Sequence, residues 1–167
     1  FGHRFEDFTR ELPVESTCYS TAQKKIIGFA QKHRVGVHVH LSEVASEVSA
    51  CEKKHGKSPV AVFEDLGLWE VPTLAAHAVC LSAQDIQILG KYKVGVSHNP
   101  ESNMKLGTLV APVVELRKAG VPVAIGTDST ASNNNLDLFG EADFAAKLQS
   151  FKYGPGALRA EDVVAML

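Results

Sequence analysis

Val35-Gly36-Val37-His38-Val39-His40-Leu41-Ser42-Glu43 decides the fold. Its first six residues read as a strand. Beyond them a helix is expected over 43–55, where Val44, Val48 and Cys51 fall at helical spacing. Upstream, Ile26, Ile27 and Ala30 share one face of a helix expected over 21–33. Downstream the alternation repeats. A short helix over 60–66 stops at Gly67, and a strand covers 74–79. Ser82, with Asp85 three residues on, opens a helix whose apolar face holds Ile86 and Leu89. A strand over 94–98 follows, then a helix over 109–119 with Gly120 as its stop and Pro122 just beyond. A strand over 121–126 and a helix over 136–150 complete the pattern.

Short strands alternating with helices imply parallel pairing through βαβ units. The fold class is therefore α/β. A closed (β/α)8 barrel has eight strands and takes about 250 residues. Four strands in 167 residues predict about half of such a barrel. An open doubly wound sheet is the alternative, but no Gly-rich phosphate loop follows the first strand. The chain starts at Phe1 and ends inside the apolar run Val163-Val164-Ala165-Met166-Leu167. Both ends read as cut, so the expectation is part of a longer protein.

Composition excludes several function classes. Apolar residues make up 45% and the net charge is −2, which gives no support for a nucleic-acid partner. No stretch approaches the ~20 apolar residues of a membrane span. Cys18, Cys51 and Cys80 are widely spaced and form no Cys-x-x-Cys pair. That argues against a disulfide framework or thiolate zinc site and fits the reducing cytoplasm.

The chemistry gathers at the strand ends. In parallel βα proteins the C-terminal ends of the strands face the active site. Those ends read His40-Leu41-Ser42-Glu43, His77, Ser97-His98-Asn99-Pro100 and Gly126-Thr127-Asp128-Ser129. Three histidines, a glutamate and an aspartate are thus expected at one mouth. His40 is a candidate metal ligand. Glu43 can shuttle protons if partly desolvated, or simply favour the helix start. Asp128 ends an apolar strand, where a carboxylate must be paired or metal-bound. His77 can hydrogen-bond a substrate or ligate a metal. His38 lies on the same strand face as His40, either as part of a two-ligand clasp or one layer deeper. His3, His33 and His55 carry no functional expectation.

Four segments together resemble the amidohydrolase superfamily: 37–43, Ala76-His77, 97–106 and 126–134. The likeness is closest to its methylthioadenosine/S-adenosylhomocysteine deaminase and chlorohydrolase branch, in the family's order and spacing. It implies strands 5 to 8 of a TIM-type barrel. It implies His40 and Asp128 as metal ligands, Glu43 as proton shuttle and Asp128 as general base. His77 is placed near metal and substrate, and Ser129 joins Glu43 and His77 as a substrate-binding position. The implied cofactor is one divalent metal, zinc first, with iron or manganese as alternatives. The implied reaction is hydrolysis of a C–N bond on a heteroaromatic ring by a metal-bound hydroxide. The substrate would be the adenine of a nucleoside such as S-adenosylhomocysteine or methylthioadenosine.

The departures are specific. The family's first strand supplies a His-x-His pair, and no such strand precedes 37–43. His38-x-His40 is no substitute, because Leu41-Ser42-Glu43 marks the later motif. Val14 stands where the family carries a substrate-contacting histidine, and the small β-sandwich domain is absent. The metal site is therefore expected to be incomplete, and residues 1–167 alone weakly active or inactive. Rival readings are a chlorohydrolase or a guanine or triazine deaminase of the same branch, and a non-catalytic half-barrel serving as an assembly module. A homo-oligomer or a complementary half-barrel is the partner those readings imply.

Overall fold

The computed structural model describes residues 21–167. The expectations for His3, Val14 and Cys18 lie outside them. Helix α1 (Thr21–His33) buries Ile27 and Ala30, three positions apart on one face. Strand β1 (Val37–Leu41) leads to α2 (Ala45–His55), α3 (Pro59–Asp65), a single 3-10 turn at Leu68–Glu70 and β2 (Thr73–His77). Helix α4 (Ala83–Tyr92), β3 (Gly95–His98), α5 (Pro100–Lys105), α6 (Val113–Lys118) and β4 (Val123–Ile125) follow. Helices α7 (Leu138–Tyr153) and α8 (Ala160–Val164) close the described chain.

The four strands form one parallel sheet in the order β1-β2-β3-β4. Spatial order thus equals sequence order. A doubly wound sheet reverses its order at a switch point, whereas a barrel does not. The sheet is part of a TIM-type barrel. Register aligns His40 with Ala76, Ala76 with Ser97 and Ser97 with Ala124. Aligned residues of a parallel sheet point to the same side, so these four form one row across one face. On that face His38, His40, Leu74 and Ala124 are exposed. The opposite face carries Leu41, Ala75 and Val96 into the helix layer. There they meet Ile27, Val60, Phe63, Trp69, Leu89 and Leu116. A second apolar cluster joins Val79, Val113, Ile125, Ala145 and Met166.

Local chemistry sets the boundaries. Ser82 and Asp85 form the capping box, with Ser82 Oγ accepting from the Asp85 N–H at 3.1 Å and Asp85 Oδ2 accepting from the Ser82 N–H at 2.8 Å. Helix α2 begins at Ala45 rather than 43, and Glu47 Oε2 reaches back to the Glu43 N–H at 3.0 Å. Helix α6 begins at Val113 rather than 109, directly after Pro112. Strand β2 stops at His77, because His77 and Ala78 take φ of 71° and 48°. Trp69 donates its indole N–H to the Val60 carbonyl at 2.9 Å and meets Phe63 edge-on. Among the described residues no helix is long and apolar enough to cross a membrane, and Cys51 and Cys80 are in no disulfide.

Candidate active site at the strand ends

The chain bends sharply as it leaves three of the strands. Ser42 after β1, His77 and Ala78 at the end of β2, and Asp128 after β4 all have φ between 48° and 71°. For residues with a Cβ such conformations cost on the order of 1–3 kcal/mol each and persist only where surrounding bonds impose them. Here the Ala78 N–H donates to the Leu41 carbonyl at 3.0 Å and the Cys80 N–H to the Ser42 carbonyl at 2.8 Å. These bonds stitch the two segments together beyond the sheet, above the row that holds His40.

The bends bring four predicted side chains together. His77 is almost fully buried, and its Nε2 lies 3.8 Å from Glu43 Oε2 and 3.8 Å from Asp128 Oδ2. Its ring stacks on His40 with centroids 5.3 Å apart. Its Nδ1 faces Asn103 Oδ1 at 2.9 Å. With that oxygen as acceptor, Nδ1 carries the proton and Nε2 turns its lone pair toward the two carboxylates.

Asp128 is held on both oxygens. Oδ2 accepts from Ser102 Oγ at 2.7 Å and Ser132 Oγ at 2.9 Å, and Oδ1 accepts from the Ser129 N–H at 2.7 Å. Burial pushes its pKa up, but these three bonds and nearby His77 outweigh that and hold it below the usual aspartate value. His40 stands on the exposed face, but its ring packs against His77 on one side, and that partial loss of water lowers its pKa, with the charge of His77 adding to the effect. Glu43 and Asp128 oppose it without prevailing. At neutral pH the site therefore presents a neutral His40 beside an ionised Asp128, the forms in which both residue types bind metals. Burial and then Glu47 push the Cys80 thiol up, which argues against a thiolate role.

His40, His77 and Asp128 suit a zinc-type ion in donor chemistry. Among the described residues no three His, Cys, Asp or Glu side chains form a group able to hold a metal ion. Ser129 stands at the rim, with its N–H on Asp128 and its carbonyl accepting from the Asn133 N–H at 2.8 Å. His38 lies two residues before His40 on the same exposed face.

His98 departs from expectation. The register pairs it with Ile125, so it points into the buried helix layer rather than over the row of His40 and Ser97. It is 1% exposed, and neither ring nitrogen has a hydrogen-bond partner among the described residues. Ser102, Asn103 and Ser132 lie within 97–106 and 126–134, where sequence alone assigns them no role. Only the folded arrangement shows that helix α5 delivers two of them to the mouth, and its Pro100 start was the one local clue.

Comparison with known proteins agrees with this architecture. The chain is 47% identical over 138 residues to a 5-methylthioadenosine/S-adenosylhomocysteine deaminase of Desulforudis audaxviator, covering 83% of this chain and 32% of that protein. It thus spans about a third of the length of the curated relatives it matches. An adenosine deaminase from Xanthomonas campestris, solved with bound zinc, superposes with a TM-score of 0.81 at 34% identity, over 86% of this chain and 33% of its own. A guanine deaminase from C. acetobutylicum with bound guanine gives 0.81 at 25% identity, over 89% and 37%. The sheet order, the polar strand ends and a family match over residues 14–167 lead to one conclusion: the chain belongs to the amidohydrolase family.

Proposed function

We propose that this chain is the second half of the catalytic barrel, strands 5 to 8, of a hydrolytic deaminase acting on the adenine of nucleosides such as methylthioadenosine or S-adenosylhomocysteine. The observation that carries the reading is His77 Nε2, equidistant at 3.8 Å from Glu43 and Asp128. Two carboxylates around one imidazole allow one to take a proton while the other gives one. The names of the relatives and neighbours support the substrate class, and the exposed face around His40 leaves room for further barrel strands. The small β-sandwich domain would lie with those strands outside this chain.

His40 and Asp128 would hold the divalent metal, zinc first, with remaining ligands supplied from outside the described residues. When bound, such an ion acidifies water and so makes a nucleophile available near neutral pH. Asp128 accepts the proton of the attacking water. Its low pKa keeps it ionised for that role, and Ser102 and Ser132 fix its orientation. Glu43 gives a proton to the ring nitrogen as water oxygen adds to the ring carbon; the proton taken by Asp128 then passes to the amino group, the C–N bond breaks, ammonia leaves, and Glu43 recovers a proton from the new hydroxyl. His77 lies between the two carboxylates and orients the substrate, with Ser129 at the rim.

The test is ammonia release by the full-length protein from adenosine, S-adenosylhomocysteine, methylthioadenosine, guanine and a chlorotriazine. Turnover of the adenine nucleosides is expected, with Glu43→Gln and Asp128→Asn each lowering kcat by about 100-fold or more. Chloride release with no ammonia would replace this reading with a chlorohydrolase.

A further inference from the structure

Glu141 sits in the first turn of α7 and is fully buried, although it belongs to none of the strand ends. Both of its oxygens are engaged. Oε2 accepts the backbone N–H of Glu101 at 3.0 Å, and Oε1 accepts the side-chain amide of Asn133. These partners lie on the two segments that flank Asp128. Glu101 precedes Ser102 and Asn103 in α5, and Asn133 follows Ser132 in the turn after β4. One carboxylate therefore ties together the segment that places Ser102 on Asp128 and Asn103 on His77, and the segment that places Ser132 on Asp128.

The site requires two acceptors. The Glu101 N–H can only donate. The Asn133 amide cannot turn over cheaply, because its Oδ1 already accepts the N–H groups of Asn135 at 3.1 Å and Leu136 at 3.0 Å. A glutamine here would turn an amide NH2 toward a donor and leave a buried group unpaired. We infer that Glu141 is a positioning residue, which holds Ser102 and Ser132 on Asp128 together and so orients that carboxylate. The catalytic half of the test rests on the deaminase reading; the metal-binding half does not.

The experiment is a double-mutant cycle in the full-length protein. Glu141→Gln is made alone and in a Ser102→Ala, Ser132→Ala background, and three quantities are read: kcat and KM, zinc affinity by chelator competition, and the thermal midpoint. Alone, Glu141→Gln is expected to lower kcat and zinc affinity about 10-fold or more, with KM within about 3-fold. In the double-alanine background the same substitution is expected to change kcat and zinc affinity less than about 2-fold, while still lowering the midpoint. Equal factors in both backgrounds would show a purely structural role, and no effect in the parent would also overturn the inference. If Glu141→Gln does not fold, Glu141→Asp, which keeps both acceptors on a shorter stem, enters the same cycle with the same criteria. A parent protein without turnover on any ring substrate sinks the deaminase reading alone, since the zinc cycle still decides the positioning role.

Discussion

Burial of His98 makes a quantitative demand on acid stability. The ring is 1% exposed at the end of β3, and burial, with His77 adding to it, pulls its pKa from 6.5 to about 4. The folded state therefore resists a proton that the unfolded chain accepts. Between pH 6.5 and about 4 the unfolded state binds more protons, so stability rises with pH and is lost as pH falls through that window. The difference is worth about 2 kcal/mol by pH 5 and about 3 kcal/mol by pH 4, relative to pH 7. Asp128 and Asp162, held low in the folded state, add to the loss on acidification. Glu47 and Glu141, pushed up by burial, oppose it. A difference measurement isolates the histidine. His98→Leu replaces a ring without hydrogen-bond partners by an apolar group of similar size, so its effect at pH 7 should be small. Urea unfolding of chelator-treated protein, followed by emission of buried Trp69, gives stability from pH 4 to 7. The gap between parent and variant should close, or reverse, by about 3 kcal/mol across that range. A gap constant to within about 0.5 kcal/mol would refute the argument, because His98 would then titrate alike in both states.

Two further outcomes follow from close contacts. A Cβ at Gly90 would lie 2.5 Å from the Ala119 carbonyl oxygen, a backbone atom with no rotamer to yield, so Gly90→Ala should lower stability by about 1–3 kcal/mol in urea unfolding, and a change under about 0.5 would show that α4 shifts freely. Asn103→Ala removes the acceptor at 2.9 Å from His77 Nδ1, so kcat of the full-length protein should fall about 10- to 100-fold, whereas an unchanged kcat would mean that another group orients the ring.

The fold was readable where one-dimensional pattern carries it. Apolar strands such as 35–40 and 94–98, each followed by helical spacing, imply parallel pairing, and the absence of a Gly-rich turn pointed to a barrel segment. What escaped was short or conformational. Helix α5 has six residues, too few for periodicity, and it sits in a stretch that reads as polar loop. The 3-10 turn at Leu68–Glu70 is shorter still. Composition extends β2 to 79, because Ala78 and Val79 continue a strand well, whereas the strand ends at His77. The left-handed backbone at His77 and Ala78 has no signature in residues that rarely adopt it. His98 escapes for a different reason. Strand alternation separates Ser97 from His98, but only the register across three strands tells which of them shares a face with His40.

The location of the energetic costs separates a working mouth from an incidental group of polar residues. Among the described residues seven non-glycine positions have positive φ, and four of them, Ser42, His77, Ala78 and Asp128, lie at the C-terminal ends of strands. Arg34 and Lys93 merely end helices, where a left-handed residue is common. Two of the buried side-chain atoms without partners, Ser42 Oγ and Asn103 Nδ2, also lie there, while Glu115 Oε2 and Gln149 Oε1 are on helices α6 and α7. Folding alone would select against such a concentration of strained residues, since each subtracts from a net stability of only about 5–15 kcal/mol. The opposite end of the sheet shows the contrast, with Val37 bonded to the Pro72 carbonyl at 2.9 Å and Val96 to the Pro122 carbonyl at 2.8 Å, an ordinary ladder. Backbone strain at one end and ordinary bonding at the other are what a scaffold shows when it holds reactive groups ready for a ligand. On this reasoning a polar ligand that fills the mouth should stabilise the protein by more than its own contact area suggests, because it gives partners to groups that the fold leaves without them.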